Sequence, residues 1–310
     1  MLRFGLCCIF REEPIRFRAT TAKALLSLDR RARLAKLSRL AMENASSLLA
    51  ALEAVRRLGF GAFRVLSPLL PRYTHPEVGY RLEDLPGGDA ITAKLREAAA
   101  FRALHDLRLS FHPDQFVVLS SPRPEVVERS LAELEYQGLM AELVGAETIT
   151  LHGGGGYGDK GQALARWRKH FAELSPGVRG RLALENDDVT YTVRDLLPAC
   201  EALGVPLVYD VHHHRCNPDG LSVAEATALA AATWREAGRE PWFHVSSPRN
   251  GWGGNAPKPH ADYLDPSDFP TEWLGLDATV DVEAKAKELA VARLMKELGA
   301  EPWMGKGRGG

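Results

Sequence analysis

Histidines and carboxylates recur in this sequence in one kind of place, just where a short apolar run ends. The run Pro206-Leu-Val-Tyr-Asp-Val-His-His-His-Arg-Cys ends in Asp210 and is followed by His212, His213 and His214. Such a cluster is costly to bury unless a cation neutralises the carboxylate and takes the ring nitrogens. Three histidines alone read equally well as a solvated, His-rich turn. The same pattern, however, repeats along the chain. His75 lies in the loop after residues 62–66, His112 follows 107–111, His152 follows 147–151 and Glu185 follows 181–184. His244 lies in 242–245, His260 in the loop beyond, and Glu283 follows 278–282. Each residue alone is weak evidence. Their common position relative to the apolar runs is the signal. Two or three divalent metal ions would neutralise the three carboxylates Glu185, Asp210 and Glu283 and organise the imidazoles around them.

Those residues need a frame that brings the ends of many strands together. Apolar runs at 3–8, 62–66, 107–111, 147–151, 181–184, 206–209, 242–245 and 278–282 read as strands. Helix-like segments alternate with them: 27–58 as one helix or two, 90–105, 124–144 opened by Pro124, 160–174, 192–203, 222–237 and 284–298. Ser222 and Glu225 form a capping box at the start of one of these helices. There is no fixed-period repeat and no linker. Eight strand-then-helix units predict an α/β fold, a single (β/α)8 TIM barrel over residues 1–300 with a disordered tail at 301–310. In such a barrel the C-terminal strand ends surround one mouth, which is where active sites are built.

Composition excludes other classes. Of 310 residues, 45% are hydrophobic and 25% charged, and the net charge is −1, so the chain is not globally basic. No run approaches the length of a transmembrane helix, and the first residues are charged too early for a signal peptide. Four cysteines, at 7, 8, 200 and 216, make no disulfide framework and point to a reducing cytoplasm. The first 40 residues hold ten Lys/Arg against three Asp/Glu. Arg16, Arg18, Arg30, Arg31, Arg33, Lys36 and Arg39 read either as a phosphate-facing patch or as a solvated helix face. His105 and His170, on helices, read as surface or packing residues, and Asp187 and Asp188 as groups orienting ligands.

Arg64-Val-Leu-Ser-Pro with Thr74-His75-Pro76, His112-Pro-Asp-Gln115, Leu151-His-Gly-Gly, Leu184-Glu-Asn-Asp-Asp, Asp210-Val-His-His, His244-Val-Ser-Ser, His260-Ala-Asp-Tyr and Val282-Glu-Ala-Lys-Ala-Lys occur in this order. The set resembles the UV damage endonuclease family, itself related to endonuclease IV and the xylose isomerase-like barrels, with this chain on a divergent branch. The resemblance implies a metal-dependent endonuclease that hydrolyses a DNA phosphodiester immediately 5′ of UV-type or other base damage. It implies double-stranded DNA with a lesion as partner, no membrane, a monomer, and Mn²⁺ in preference to Zn²⁺. It further implies one metal site of His112, His152 and Glu185, and a second of Glu185, Asp210, His244 and Glu283 bridged by Glu185. A third would use His213 and His260. Glu185, His213 and His260 would be catalytic, His75 near the site, and Gln115-Phe116 the pair inserted into the duplex at the lesion. Taken without the resemblance, Phe116 could also be a core residue of the next segment.

The sequence departs from the family at three places. A lysine modified to a carbamate stands in the family two residues before the histidine of strand 7, where this chain has Trp242, which cannot supply that oxygen. Leu6 and Phe10 occupy the approximate positions of a Tyr and an Asn that face DNA. An alternative follows from Trp242 and the near-zero net charge: a small-molecule isomerase or metal-dependent oxidase on the same scaffold, its pocket closed by Trp242 and the 247–270 loop.

Overall fold

A computed structural model describes residues 1–305 of the chain. Eight short strands, almost every residue of them buried, pair in parallel and close on themselves in the order β1-β2-β3-β4-β5-β6-β7-β8. They are β1 (Leu2–Cys7), β2 (Ala62–Val65), β3 (Arg108–Phe111), β4 (Thr148–His152), β5 (Leu182–Glu185), β6 (Leu207–Asp210), β7 (Trp242–Val245) and β8 (Ala278–Val282). Parallel strands with both faces covered need no polar alternation toward solvent, which is why they read as near-continuous apolar runs. The helices are α1 (Ala22–Leu26), α2 (Arg30–Arg57), α3 (Gly88–Leu104), α4 (Pro124–Val144), α5 (Lys160–Phe171), α6 (Pro176–Arg179), α7 (Val193–Leu203), α8 (Val211–Cys216), α9 (Val223–Glu236) and α10 (Glu288–Glu297). No helix among the described residues is long and apolar enough to cross a membrane.

The apolar core lies mainly outside the sheet. Phe4, Leu6, Phe63, Val65, Leu109, Phe111, Leu184, Phe243 and Val280 alternate along the strands and join one cluster with the inner faces of the helices. The residues of the opposite parity face the barrel interior. There the apolar content is small: Ala62, Ala183, Val208 and Trp242 form a plug halfway down. Polar side chains fill the remainder above and below it, which is how the sequence sets the two ends of the barrel apart.

Three local readings are corrected. The 27–58 segment is one continuous helix that begins at Arg30 and not at Ser27, Asp29 capping α2 by accepting from Ala32 N at 2.8 Å, with the short α1 ending before it at Leu26. The last helix begins at Glu288, after Lys287 with its positive φ of 55°, and the Glu288 carboxylate accepts backbone N–H groups of Arg11, Glu12 and Glu13, tying the N-terminal segment to it. The expected tail at 301–310 is not free over its first part. Trp303 is buried, donates Nε1–H to Asp106 O at 3.2 Å, and lies under the Arg3 guanidinium at 3.8 Å. Residues 306–310 lie outside the described residues.

Candidate metal centre

His152, Glu185 and Asp210 are the last residues of β4, β5 and β6, and His112 and Glu283 come one residue after β3 and β8. His244 is the third residue of β7 and lies level with Asp210 in the register. Glu185 stands at the centre, fully buried. Its Oε2 lies 2.7 Å from His112 Nε2 and 3.0 Å from His152 Nε2. Its Oε1 lies 2.8 Å from His244 Nδ1 and 3.5 Å from His213 Nδ1. Each carboxylate oxygen therefore faces a different group of donors. Among the described residues, two sets have donor atoms lying within 4.8 Å of one another: His112 with His152 and Glu185, and Glu185 with Asp210, His244 and Glu283.

Asp210 is placed by a local device. It caps α8, its Oδ1 accepting His213 N–H at 2.8 Å, so the histidine run is a turn of helix and not an extended strand. The spacing of three then puts Asp210 and His213 on one face. His213 Nδ1 donates to Asn186 O at 2.9 Å, so Nε2 is the nitrogen left to face an ion once its own proton has gone. His260 lies beside Glu283, Nδ1 to Oε2 at 3.6 Å, its ring centroid 6.4 Å from that of His213. Neither His213 nor His260 falls in the two sets above. His212 and His214 are turned away: His212 contacts Ser246 O and Lys258 O, and His214 meets the Tyr209 hydroxyl at 2.6 Å and Asp219 at 3.3 Å. His214 thus belongs to the core.

The electrostatics favour cations. Burial works against the Glu185 charge, yet His244, His152 and His112 hold its carboxyl well below the usual range. Burial likewise works against protonation of His213, but Asp210 and Glu185 raise it to about 9. His112 goes the other way, lowered by burial despite Glu185. Asp210 Oδ2 is buried without a hydrogen-bond partner, and so is His152 Nε2, whose approach to Glu185 is off hydrogen-bond alignment. Orphaned lone pairs converging on a carboxylate-rich pocket fit a divalent cation. Burial raises the pKa of Cys7 and Cys8, and neither sulfur falls in the two sets.

The remaining expectations divide. Gln115 and Phe116 stand exposed on a turn whose Asp114 carboxylate accepts Phe116 N–H at 3.0 Å; Phe116 is 77% exposed and is no core residue. His75 is outside the cluster. It lines, with Phe116, Arg72, Arg123 and Arg129, a groove of about 970 Å³ beside the mouth. Leu6 and Phe10 are buried in the core, and the exposed apolar residue of that loop is Ile9. Trp242 is wholly buried in the interior plug under Arg108, 4.4 Å from its ring, and closes no pocket at the mouth. The basic segment is partly spent on the protein itself, Arg18 and Arg39 on Glu43 and Arg30 on Asp84. His105 pairs with Arg56, and His170 with Leu119 O. Asp187 caps the turn at residues 189–191, and Asp188 lies 3.6 Å from Lys258. Sequence reasoning missed Asp281, which gave no signal because it sits inside an apolar strand. It quoted Arg64 only as part of a motif.

The same barrel and similar sequences occur in known proteins. A profile of the family described as UV-endonuclease UvdE matches residues 2–302. A UV DNA damage endonuclease of Bacillus velezensis is 32% identical, over 97% of this chain and 95% of its own length. The solved structure of SacUVDE superposes with a TM-score of 0.85 at 26% identity, covering 97% of this chain and all of that one. Endonuclease IV from Thermus thermophilus, at 20% identity and a TM-score of 0.60 over 96% of this chain and 97% of its own, shares the fold. Matched from its first strand to beyond its last helix, the chain belongs to the UV-endonuclease UvdE family.

Proposed function

We propose that the chain is a metal-dependent endonuclease of DNA repair that hydrolyses a phosphodiester immediately 5′ of UV-type or other base damage in double-stranded DNA. The observation that carries this reading is the pair of donor sets sharing Glu185 at the mouth of a UvdE-family barrel. His112, His152 and Glu185 would hold one divalent ion, and Glu185, Asp210, His244 and Glu283 a second. His213 and His260 stand ready beside them for a third. A donor set of imidazoles and carboxylates without thiolate suits Mn²⁺, and also Zn²⁺. When bound, such ions supply Lewis-acid activation of the phosphodiester and of water.

The residues of the chain do the positioning. Glu185 directs one oxygen to each set and so fixes their separation. The Asn186 carbonyl holds His213 by Nδ1, with Nε2 left to face an ion, and Glu283 sits beside His260. Phe116, held outward by the Asp114 turn, is a planar ring able to wedge between bases, with Gln115 beside it. Five of the eight loops at the mouth expose a large apolar side chain, Ile9, Phe116, Tyr157, Val189 and Trp252, a rim suited to unstacked bases. Arg72, Arg123 and Arg129 line the groove next to Phe116, where a phosphate backbone would pass. Every donor comes from one chain, so we read the working unit as a monomer, acting in the cytoplasm.

Incubation of Mn²⁺-loaded protein with an irradiated duplex and an undamaged control tests the reading. Incision of the irradiated strand alone, abolished by a chelator, is expected. An intact irradiated duplex at high enzyme would refute it.

A further inference from the structure

Beneath the metal-facing atoms lies a second polar layer. Asp281 on β8 is fully buried. Its Oδ2 is 3.2 Å from Arg64 Nε and 3.1 Å from Arg64 Nη2, and 3.7 Å from His244 Nε2. Its Oδ1 is buried without a hydrogen-bond partner. Room for that oxygen exists because residue 5 on β1 is glycine: a Cβ there would overlap Asp281 Oδ1. Arg64, itself buried, also reaches His244 Nε2 at 2.9 Å and Glu283 Oε1 at 2.6 Å. The β7–β8 register sets His244 directly opposite Asp281.

The nitrogen chemistry of His244 makes this layer consequential. A guanidinium has donors only, so at 2.9 Å His244 Nε2 accepts from Arg64. The ring proton then sits on Nδ1 and is donated to Glu185 Oε1 at 2.8 Å. A neutral imidazole in that form offers no lone pair at Nδ1, the nitrogen that faces Glu185 and Glu283. To take an ion through Nδ1, the ring must lose the proton there and carry one on Nε2. That Nε2–H needs an acceptor, and Arg64 cannot be one. Asp281 Oδ2, 3.7 Å away, is the neighbouring carboxylate that can, once the ring closes on it and Arg64 Nη2 gives way.

We propose that Asp281 is a positioning residue of the metal centre: it accepts His244 Nε2–H when Nδ1 takes an ion, while Arg64 neutralises Asp281 and holds Glu283, and Gly5 leaves the space. The inference rests on the metal-centre reading above. Proton balance is simple. One proton leaves Nδ1, one is taken up at Nε2, and the ring stays neutral. A mere staple between β2 and β8 would also use the Arg64–Asp281 pair, but it would be indifferent to which nitrogen of His244 carries the proton.

The test uses the full chain as wild type, Asp281→Ala, Asp281→Asn and Gly5→Ala, with Mn²⁺ affinity read by chelator competition. Asp281→Ala weakens Mn²⁺ binding about 10–100-fold, the usual cost of removing a partner that orients a ligand. Asp281→Asn, which keeps an acceptor oxygen, restores much of it. Gly5→Ala weakens binding in the same direction without altering any donor. Nitrogen-15 spectra of wild-type protein, with diamagnetic Zn²⁺ as the probe, show His244 protonated on Nδ1 before loading and on Nε2 after. Folded Asp281→Ala and Gly5→Ala variants with wild-type Mn²⁺ affinity would overturn the inference. So would loaded wild-type protein whose His244 keeps its proton on Nδ1. If Asp281→Ala fails to fold, the Gly5→Ala titration and the wild-type spectra decide. Wild-type protein that binds no Mn²⁺ would overturn the metal-centre reading first and this inference with it.

Discussion

The two ends of the barrel both bury charged side chains, yet they are built differently. At the floor, Arg3, Arg102 and Arg108 meet Asp106, Glu147 and Glu240 at 3.0–3.4 Å, three cations against three carboxylates. Arg108 also donates to Thr279 Oγ1 at 2.7 Å. At the mouth, Glu185, Asp210, Asp281 and Glu283 face a single guanidinium among the described residues, Arg64, and two carboxylate oxygens, Asp210 Oδ2 and Asp281 Oδ1, have no hydrogen-bond partner. At the floor each of these carboxylates has a guanidinium partner; at the mouth four carboxylates share one. Buried ion pairs at a closed end are part of holding the structure, whereas an unbalanced cluster at an open end asks for cations from outside.

Substitutions at the two ends should therefore fail in different ways. The largest effect is expected for Glu185→Gln. The amide leaves one neutral oxygen for two sets and turns an NH2 toward the other, so elemental analysis should find both ions weakened or lost and incision reduced to background, with the fold retained. Retention of full metal content would mean that Glu185 does not join the sets. Arg108→Leu, at the floor, takes one of two guanidinium partners from Glu147 and from Glu240, which keep Arg102 and Arg3, and should cost about 1.5–3 kcal/mol in urea unfolding. Its metal content should be that of the wild type. A variant that unfolds no more easily but loses metal would erase the distinction between the ends. Smallest is Phe116→Ala, outside both layers. An exposed ring contributes little to stability, so unfolding and metal content should not change. Binding to a lesion-bearing duplex should weaken by about 1–3 kcal/mol, the worth of one base–aromatic stack. Unchanged affinity would remove the wedge role.

The barrel was legible because parallel strands covered on both faces leave apolar runs, and because Pro124, Ser222 and Gly204 mark helix ends chemically. The metal-facing residues were legible because they sit where those runs stop. What escaped lies inside strands. Asp281 and Arg64 alternate with apolar neighbours and point into the barrel, and one-dimensional sequence does not say that β2 and β8 approach across it. Trp242 was misplaced for the same reason. Two residues before His244, it shares the inward parity but lies a layer deeper, in the plug with Ala62 and Val208. Trp303 was missed because a Gly-rich tail reads as unpacked, although this tryptophan docks under Arg3. The histidine run read as a turn or as part of a metal cluster, and its helical form follows from Asp210 capping His213 N–H.

The unbalanced mouth is most directly tested by counting the divalent ions bound per chain after purification and locating them by anomalous scattering. The account predicts at least two ions, one among His112, His152 and Glu185 and one among Glu185, Asp210, His244 and Glu283. Metal-free protein that takes up no Mn²⁺ or Zn²⁺ at these residues would contradict it.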